Sequence, residues 1–245
     1  MMRQQLRMAV IIISFLLFPI TIWYFSPYLI IQAACEHIIN GSFIVFAIML
    51  LSSIFLGRIW CGYLCPAGGI QECIGLCNNN PAKQGWRNSI KYVFWTIWII
   101  AVIVTFILGK NDVKIHPFYM TDHGISISSI YDFIIYYGVI LIIVIPSFVH
   151  GRRAACHYIC WMAPFMVIGS SIGKLLKLPQ LHIEANKDTC VSCGGCNKVC
   201  PMGLDVKKIV SEDIISKCTE CIQCGACIDS CPKKVLKYSF SRNST

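Results

Sequence analysis

Eight cysteines near the C-terminal end carry the clearest chemical signal. CVSCGGCNKVCP supplies Cys190, Cys193, Cys196, Cys200 and Pro201, and CIQCGACIDSCP supplies Cys221, Cys224, Cys227, Cys231 and Pro232. Both read C-x2-C-x2-C-x3-C-P, the spacing with which thiolates wrap a pair of [4Fe–4S] clusters. Three closely spaced thiolates, on loops loosened by Gly194, Gly195 and Gly225, reach three irons of one cubane, while the fourth points away to the other cluster. The expected sets are Cys190, Cys193, Cys196 and Cys231 for the first cluster, and Cys221, Cys224, Cys227 and Cys200 for the second. Zinc favours paired knuckles separated by long loops. A disulfide scaffold would be shorter and need an oxidising compartment. Cys218 falls out of register with the spacing and reads as surplus.

A second constellation lies upstream. GRIWCGYLCPAGG carries Cys61 and Cys65, and GRRAACHYICWMAP carries Cys156 and Cys160, each after a long apolar run. Tyr63 matches Tyr158 and Leu64 matches Ile159, so the segments read as an internal repeat. Residues four apart share a helix face, so each pair is expected to present two sulfurs together. Three readings stand: small buried hydrophobes, a redox dithiol or transient metal site, and a permanent metal or iron–sulfur centre. Cys73 and Cys77 form a third pair at the same spacing, read chiefly as core filling, with a local four-sulfur site beside Cys61 and Cys65 as the alternative.

The elements that must position these thiols are apolar. Of 245 residues, 56% are hydrophobic and 13% charged, against roughly 25% charged in soluble domains. Four runs have the length of membrane-spanning helices: Met8–Ile31, Ile38–Gly57, Ser89–Leu108 and Ile127–Val149. Arg3, Arg7, Arg58, Lys83, Arg87, Lys91, Arg152, Arg153, Lys174 and Lys177 fall on one side of them, and only Lys110 and Lys114 on the other. The positive-inside rule then places both termini and both Cys-x3-Cys pairs at the cytoplasmic face of an inner membrane. The first run is too long for a cleavable signal and lacks a cleavage site. The net charge of +9 forms no basic stripe with interleaved aromatics, which speaks against nucleic acid. Residues 1–179 are expected to form a four-helix membrane domain of two repeated hairpins. Residues 180–245 are expected to form a small α+β domain with LHIEA and VLKYSF as paired strands.

These features together resemble the NapH/MauN-type polytopic membrane ferredoxins, and are similar to the iron–sulfur membrane half of the nitrous oxide reductase regulator NosR. CGYLCPAG fits that motif fully, whereas CHYICWMAP has Trp161 in the place of the proline. The resemblance implies electron transfer between the quinol pool, or a membrane partner, and a redox enzyme. Other redox subunits or a soluble electron carrier would be the partners. For quinol oxidation, Glu72, His150 and His157 are the proton acceptors nearest the motifs, and Arg152 and Arg153 are expected to anchor a helix end to headgroups. The rival function is metal maturation, in which the ferredoxin domain reduces copper or iron held by Cys61, Cys65, Cys156 and Cys160.

Overall fold

The computed structural model describes residues 2–82, 85–109, 112–212 and 218–242, so Lys83 and Lys110 lie outside the described residues. The chain opens with α1 (Met2–Leu16), breaks, and continues as α2 (Phe18–Thr21) and a 3-10 turn to Phe25. The axis bends by 59° at the break. A second break precedes α3 (Pro27–Cys35), where the Ser26 hydroxyl accepts from Leu29 N. The expected first span is therefore not one straight helix. Pro19 and Pro27 each lie in a first turn, where a missing N–H costs least.

Strand β1 (Ile38–Asn40) leads into α4 (Gly41–Leu56), whose first turn is closed by the Asn40 side chain accepting from Phe43 N at 2.9 Å. Sixteen residues at 1.5 Å each give α4 a length of about 24 Å, short of a hydrocarbon core of about 30 Å. Two helices are long and apolar enough to cross a membrane: Trp86–Leu108 and Ile130–His150, with a third if the bent pair counts as one span. Their side chains face outward, with Ile107 72% and Ile134 67% exposed, as suits a lipid-facing surface.

After α4 the chain forms α5 (Ile59–Tyr63), α6 (Pro66–Ile74) and α7 (Ile90–Leu108), pairs β2 (Lys114–His116) with β1, and continues as α8 (Ile130–His150). Ser129 and Asp132 start α8 with a reciprocal capping box. Then come α9 (Ala154–Tyr158) and α10 (Ala163–Leu175). The repeat is thus a structural one. Helices α4–α5–α6 and α8–α9–α10 each run as a long helix, a positive-φ glycine (Gly57 or Gly151), a five-residue helix and a proline-led helix. The halves exchange partners, α4 packing on α10 and α6 on α8. In the second half the proline falls at position 164 and still lies in the first turn of its helix.

The C-terminal part closes as expected: β3 (Pro179–Ala185) pairs antiparallel with β4 (Leu236–Arg242). Between them lie α11 (Gly195–Val199), α12 (Val206–Ser211) and α13 (Ala226–Ser230). One apolar core runs through both parts, from Phe46, Met49 and Met166 past Cys61 and Cys65 to Met202, Ile222 and Cys224.

Candidate functional site

Two small apolar cavities gather the C-terminal cysteines. Cys190, Cys193, Cys196 and Cys231 line one. Cys200, Cys221, Cys224 and Cys227 line the other, together with Cys218, which the spacing had left over. The fourth cysteine of each motif therefore lies with the first three of the other. Short helices α11 and α13 bring this about: each starts at a left-handed glycine, Gly194 or Gly225, and ends at Cys200 or Cys231. No group of three or more His, Cys, Asp or Glu among the described residues is drawn in tightly enough for a single ion. Four sulfurs spread around an apolar cavity are the donor set that a multi-iron cubane takes, so the residues fit that group.

The helical half presents its thiols on short helices. Cys61 lies in α5, and Cys65 is the residue before α6; Cys156 lies in α9, and Cys160 follows it. Each pair therefore straddles a helix end rather than sharing a helix face. Cys61, Cys65 and Cys156 are buried and Cys160 is half-buried, and all four lie within electrostatic reach of one another. Burial first, and then the neighbouring thiols, push Cys160 up to about 12. Cys61 Sγ stands 3.9 Å from Met166 Sδ, and Gln71 Nε2 donates to Cys156 Sγ at 3.1 Å. Cys73 and Cys77 are exposed, so the expectation that they fill the core is not met.

Two arginines flank the four thiols, each three residues before its cysteine. Arg58 and Arg153 are 1% exposed, so Arg153 is no headgroup anchor, while Arg152 donates to Lys198 O at 3.1 Å. Arg58 pairs with Glu220 at 2.6 Å, and Lys91, also buried, reaches the same carboxylate at 2.9 Å. Arg153 and Arg7 share Glu72, at 2.7 and 3.0 Å. Burial alone would raise both carboxyls; Arg153 and then Arg7 hold Glu72 down at about 2, and Arg58 and then Lys91 do the same for Glu220. Arg58 Nε and Arg153 Nε keep no hydrogen-bond partner among the described residues. Buried cationic donors beside four thiols suit an anionic occupant.

The C-terminal domain sits directly on this site. A Cβ at Gly62 would fall on Ile222 O, so only glycine lets α5 approach that loop. The equivalent residue of the second half, His157, is 1% exposed with Nε2 3.0 Å from Met202 O. Ile222 and Met202 both line the second cysteine cavity, so both halves grip the same cavity. Arg3 and Gln4 of α1 add bonds to Asp229, and Gln4 Nε2 donates to Cys224 O at 3.0 Å.

On the other side of the thiols a cavity of about 680 Å³ opens between the helices, lined almost wholly by apolar side chains. Cys156, Cys160, Gln71 and Trp161 line its inner part, and Asp132 is its carboxylate. Of the residues expected to serve a quinol, none lines it. Glu72 is held by arginines, His157 by Met202, and His150 lies exposed at the end of α8 against Tyr158. Nothing in the sequence signalled Gln71, whose carbonyl accepts from Ser147 Oγ at 3.0 Å and which lines the cavity. Glu220, set between Cys218 and Cys221, carried no signal in the sequence beyond its place just before the second cysteine motif.

Comparison with known proteins agrees with this division. A family model described as "4Fe-4S binding domain" matches residues 41–83 and 132–179, the two halves of the repeat, and one described as "4Fe-4S dicluster domain" matches residues 177–236. "Putative electron transport protein YccM" of Escherichia coli (strain K12) is 24% identical over 208 residues, 78% of this chain and 54% of that protein. The chain thus spans about half of that relative's length. "Uncharacterized protein MJ0750" of Methanocaldococcus jannaschii is 24% identical over 181 residues, 71% of each chain. No solved structure matches. The chain carries a 4Fe–4S binding domain in its helical half and a 4Fe–4S dicluster domain at its C-terminal end.

Proposed function

We propose that the chain is a membrane-bound electron-transport protein. It passes electrons between the quinol pool, or a membrane partner, and a redox enzyme on the cytoplasmic side of an inner membrane. Cys190, Cys193, Cys196 and Cys231 hold one [4Fe–4S] cluster, and Cys200, Cys221, Cys224 and Cys227 hold a second, with Cys218 beside it. Bound clusters supply single-electron exchange without making or breaking bonds to substrate. The observation that carries the reading is the stacking of parts. The 680 Å³ cavity reaches Cys156 and Cys160 of the four membrane-side thiols, and Gly62, next to Cys61, packs on the loop of Ile222 and Cys224. The helical half thereby shields the path from water, and Gly62 keeps it short.

An apolar cavity of this size suits a quinone headgroup with part of its tail. Gln71 and Trp161 line the end of the cavity beside Cys156 and Cys160 where such a ring would pack, whereas Asp132 is engaged in the capping box at the far end of α8. Cys61, Cys65, Cys156 and Cys160, flanked by Arg58 and Arg153, hold a further iron–sulfur centre between cavity and clusters. The match of a 4Fe–4S binding domain over both thiol pairs supports this. One observation favours the rival, copper or iron reduction at the thiols: Met166 Sδ lies 3.9 Å from Cys61 Sγ, and soft sulfur ligands select Cu(I).

The test is iron, copper and sulfide content after anaerobic purification, beside a variant with all four membrane-side cysteines changed to serine. Two cubanes alone give about eight irons in both proteins. Extra iron that disappears in the variant supports the further centre, copper in its place supports the rival, and no iron in the wild type refutes the whole reading.

A further inference from the structure

We propose that the rim of the first cysteine cavity is the docking face for a soluble electron carrier whose own cofactor edge is ringed by carboxylates. The proposal rests on the electron-transport reading and adds where the carrier binds and what its surface is made of.

The two cysteine cavities differ in what surrounds them. The second is gripped by Gly62 and His157 of the helical half. The first is lined by Val191, Ser192, Cys193, Lys207, Pro232 and Lys233 among others, and none of its lining side chains hydrogen-bonds to the helical half among the described residues. At its mouth Val191 is 59% exposed and Cys193 is also exposed, so the apolar wall of the cavity reaches the surface. A thiolate at the surface is where an electron leaves or enters with the shortest gap.

Charge selects the partner. Lys207 and Lys233 line the cavity itself; Lys187 lies three residues before Cys190, and Lys234 follows Lys233. All four are exposed, and none has an ion-pair partner among the described residues. Lysines farther out are paired, Lys208 with Glu212 and Lys237 with Glu184. Asp188 lies within the strip and Asp205 within electrostatic reach of Lys207, so four lysines against two carboxylates leave the rim net positive around a small apolar centre. That is the anatomy of a transient redox interface, with a polar rim that steers encounter and a small contact area that lets the complex part. Gly62 and His157 set the helical half against the second cavity and not the first, so lipid headgroups are the poorer match for this rim.

The electron step is simple. The carrier loses one electron, a cluster at Cys190, Cys193, Cys196 and Cys231 gains it, and no proton or bond changes hands.

The experiment uses the full chain in neutral-lipid nanodiscs and a strongly acidic flavodoxin. Binding of the oxidised flavodoxin is measured by calorimetry, and electron transfer from the reduced form by stopped flow. Raising salt from about 0.02 M to about 0.3 M shortens the screening length from about 20 Å to about 6 Å. Both affinity and rate are expected to fall at least tenfold. The double variant Lys207→Glu/Lys233→Glu is expected to lose as much at low salt, and the milder Lys207→Gln/Lys233→Gln about threefold, with iron content unchanged. Salt-independent binding, or variants that retain iron and bind as the wild type does, would overturn the docking face and leave the electron-transport reading intact. Lysine-dependent capture of anionic vesicles without flavodoxin binding would overturn it in favour of a lipid surface. Absence of iron from the wild type would overturn the reading beneath it.

Discussion

The two halves of the repeat carry the same guanidinium at the same place and satisfy it differently. Arg153 finds its carboxylate inside the helical half, at Glu72, whereas Arg58 finds it across the domain boundary, at Glu220. The contacts next to the thiols diverge in the same way: Gly62 meets the C-terminal domain with bare backbone, and His157 meets it with a buried imidazole. A duplicated element thus keeps its thiols in register while one copy becomes the lock of the helical half and the other the lock between domains.

Breaking the locks one at a time separates their roles. Glu220→Ala leaves Arg58 and Lys91 buried without a counter-charge, a loss of about 3–5 kcal/mol. The expected outcome is release of the C-terminal domain, read as rapid proteolysis between Lys174 and Pro179. Glu72→Ala costs a similar amount but strikes the other lock. It should lower the denaturant midpoint of the helical half while the junction stays protected. If both variants release the domain equally, the division of labour is wrong.

A smaller effect is expected at Gly62. Alanine there must displace the Ile222 backbone, at about 1–3 kcal/mol. The same protease assay should show intermediate cleavage, and the thiol half should stay folded.

Acid should weaken the two grips in order. Burial, opposed by Glu220, holds His157 down from 6.5 to about 4. The undocked state therefore binds the extra proton, and the second half's contribution is present above pH 6.5 and lost as pH falls toward 4. Glu220 is held down from 4.5 to about 2, so its contribution persists above pH 4.5 and is lost only between there and 2. Protease sensitivity of the junction should rise in two steps, and His157→Gln should remove the upper one. The smallest expected effect is the baseline cost of that substitution near neutral pH, about 1 kcal/mol for one hydrogen bond.

What could be read from the sequence was local. Cysteine spacing needs only neighbouring residues, and LHIEA and VLKYSF alternate visibly, so the paired strands of the C-terminal part were legible. The repeat was legible from aligned motifs. The break of the first apolar run was written in Pro19 and Pro27, but a count of apolar residues passes over it. The gripping contacts were not readable, because Arg58 and Glu220 are 162 positions apart and nothing near either one names the other. The cavity was hidden for a similar reason: α2, α3, α6, α8 and α9 each supply a little of its wall.

The burial of the second cysteine cavity also bears on how the protein is made. Cys200, Cys224 and Cys227 are at most 8% exposed once Gly62 and His157 close over the loops around them. A scaffold protein that hands over a preformed cluster needs to touch those sulfurs, and of the four expected ligands only Cys221 stays half-buried. Docking thus narrows the approach to that cavity to one sulfur, and loading before docking is the order this geometry favours.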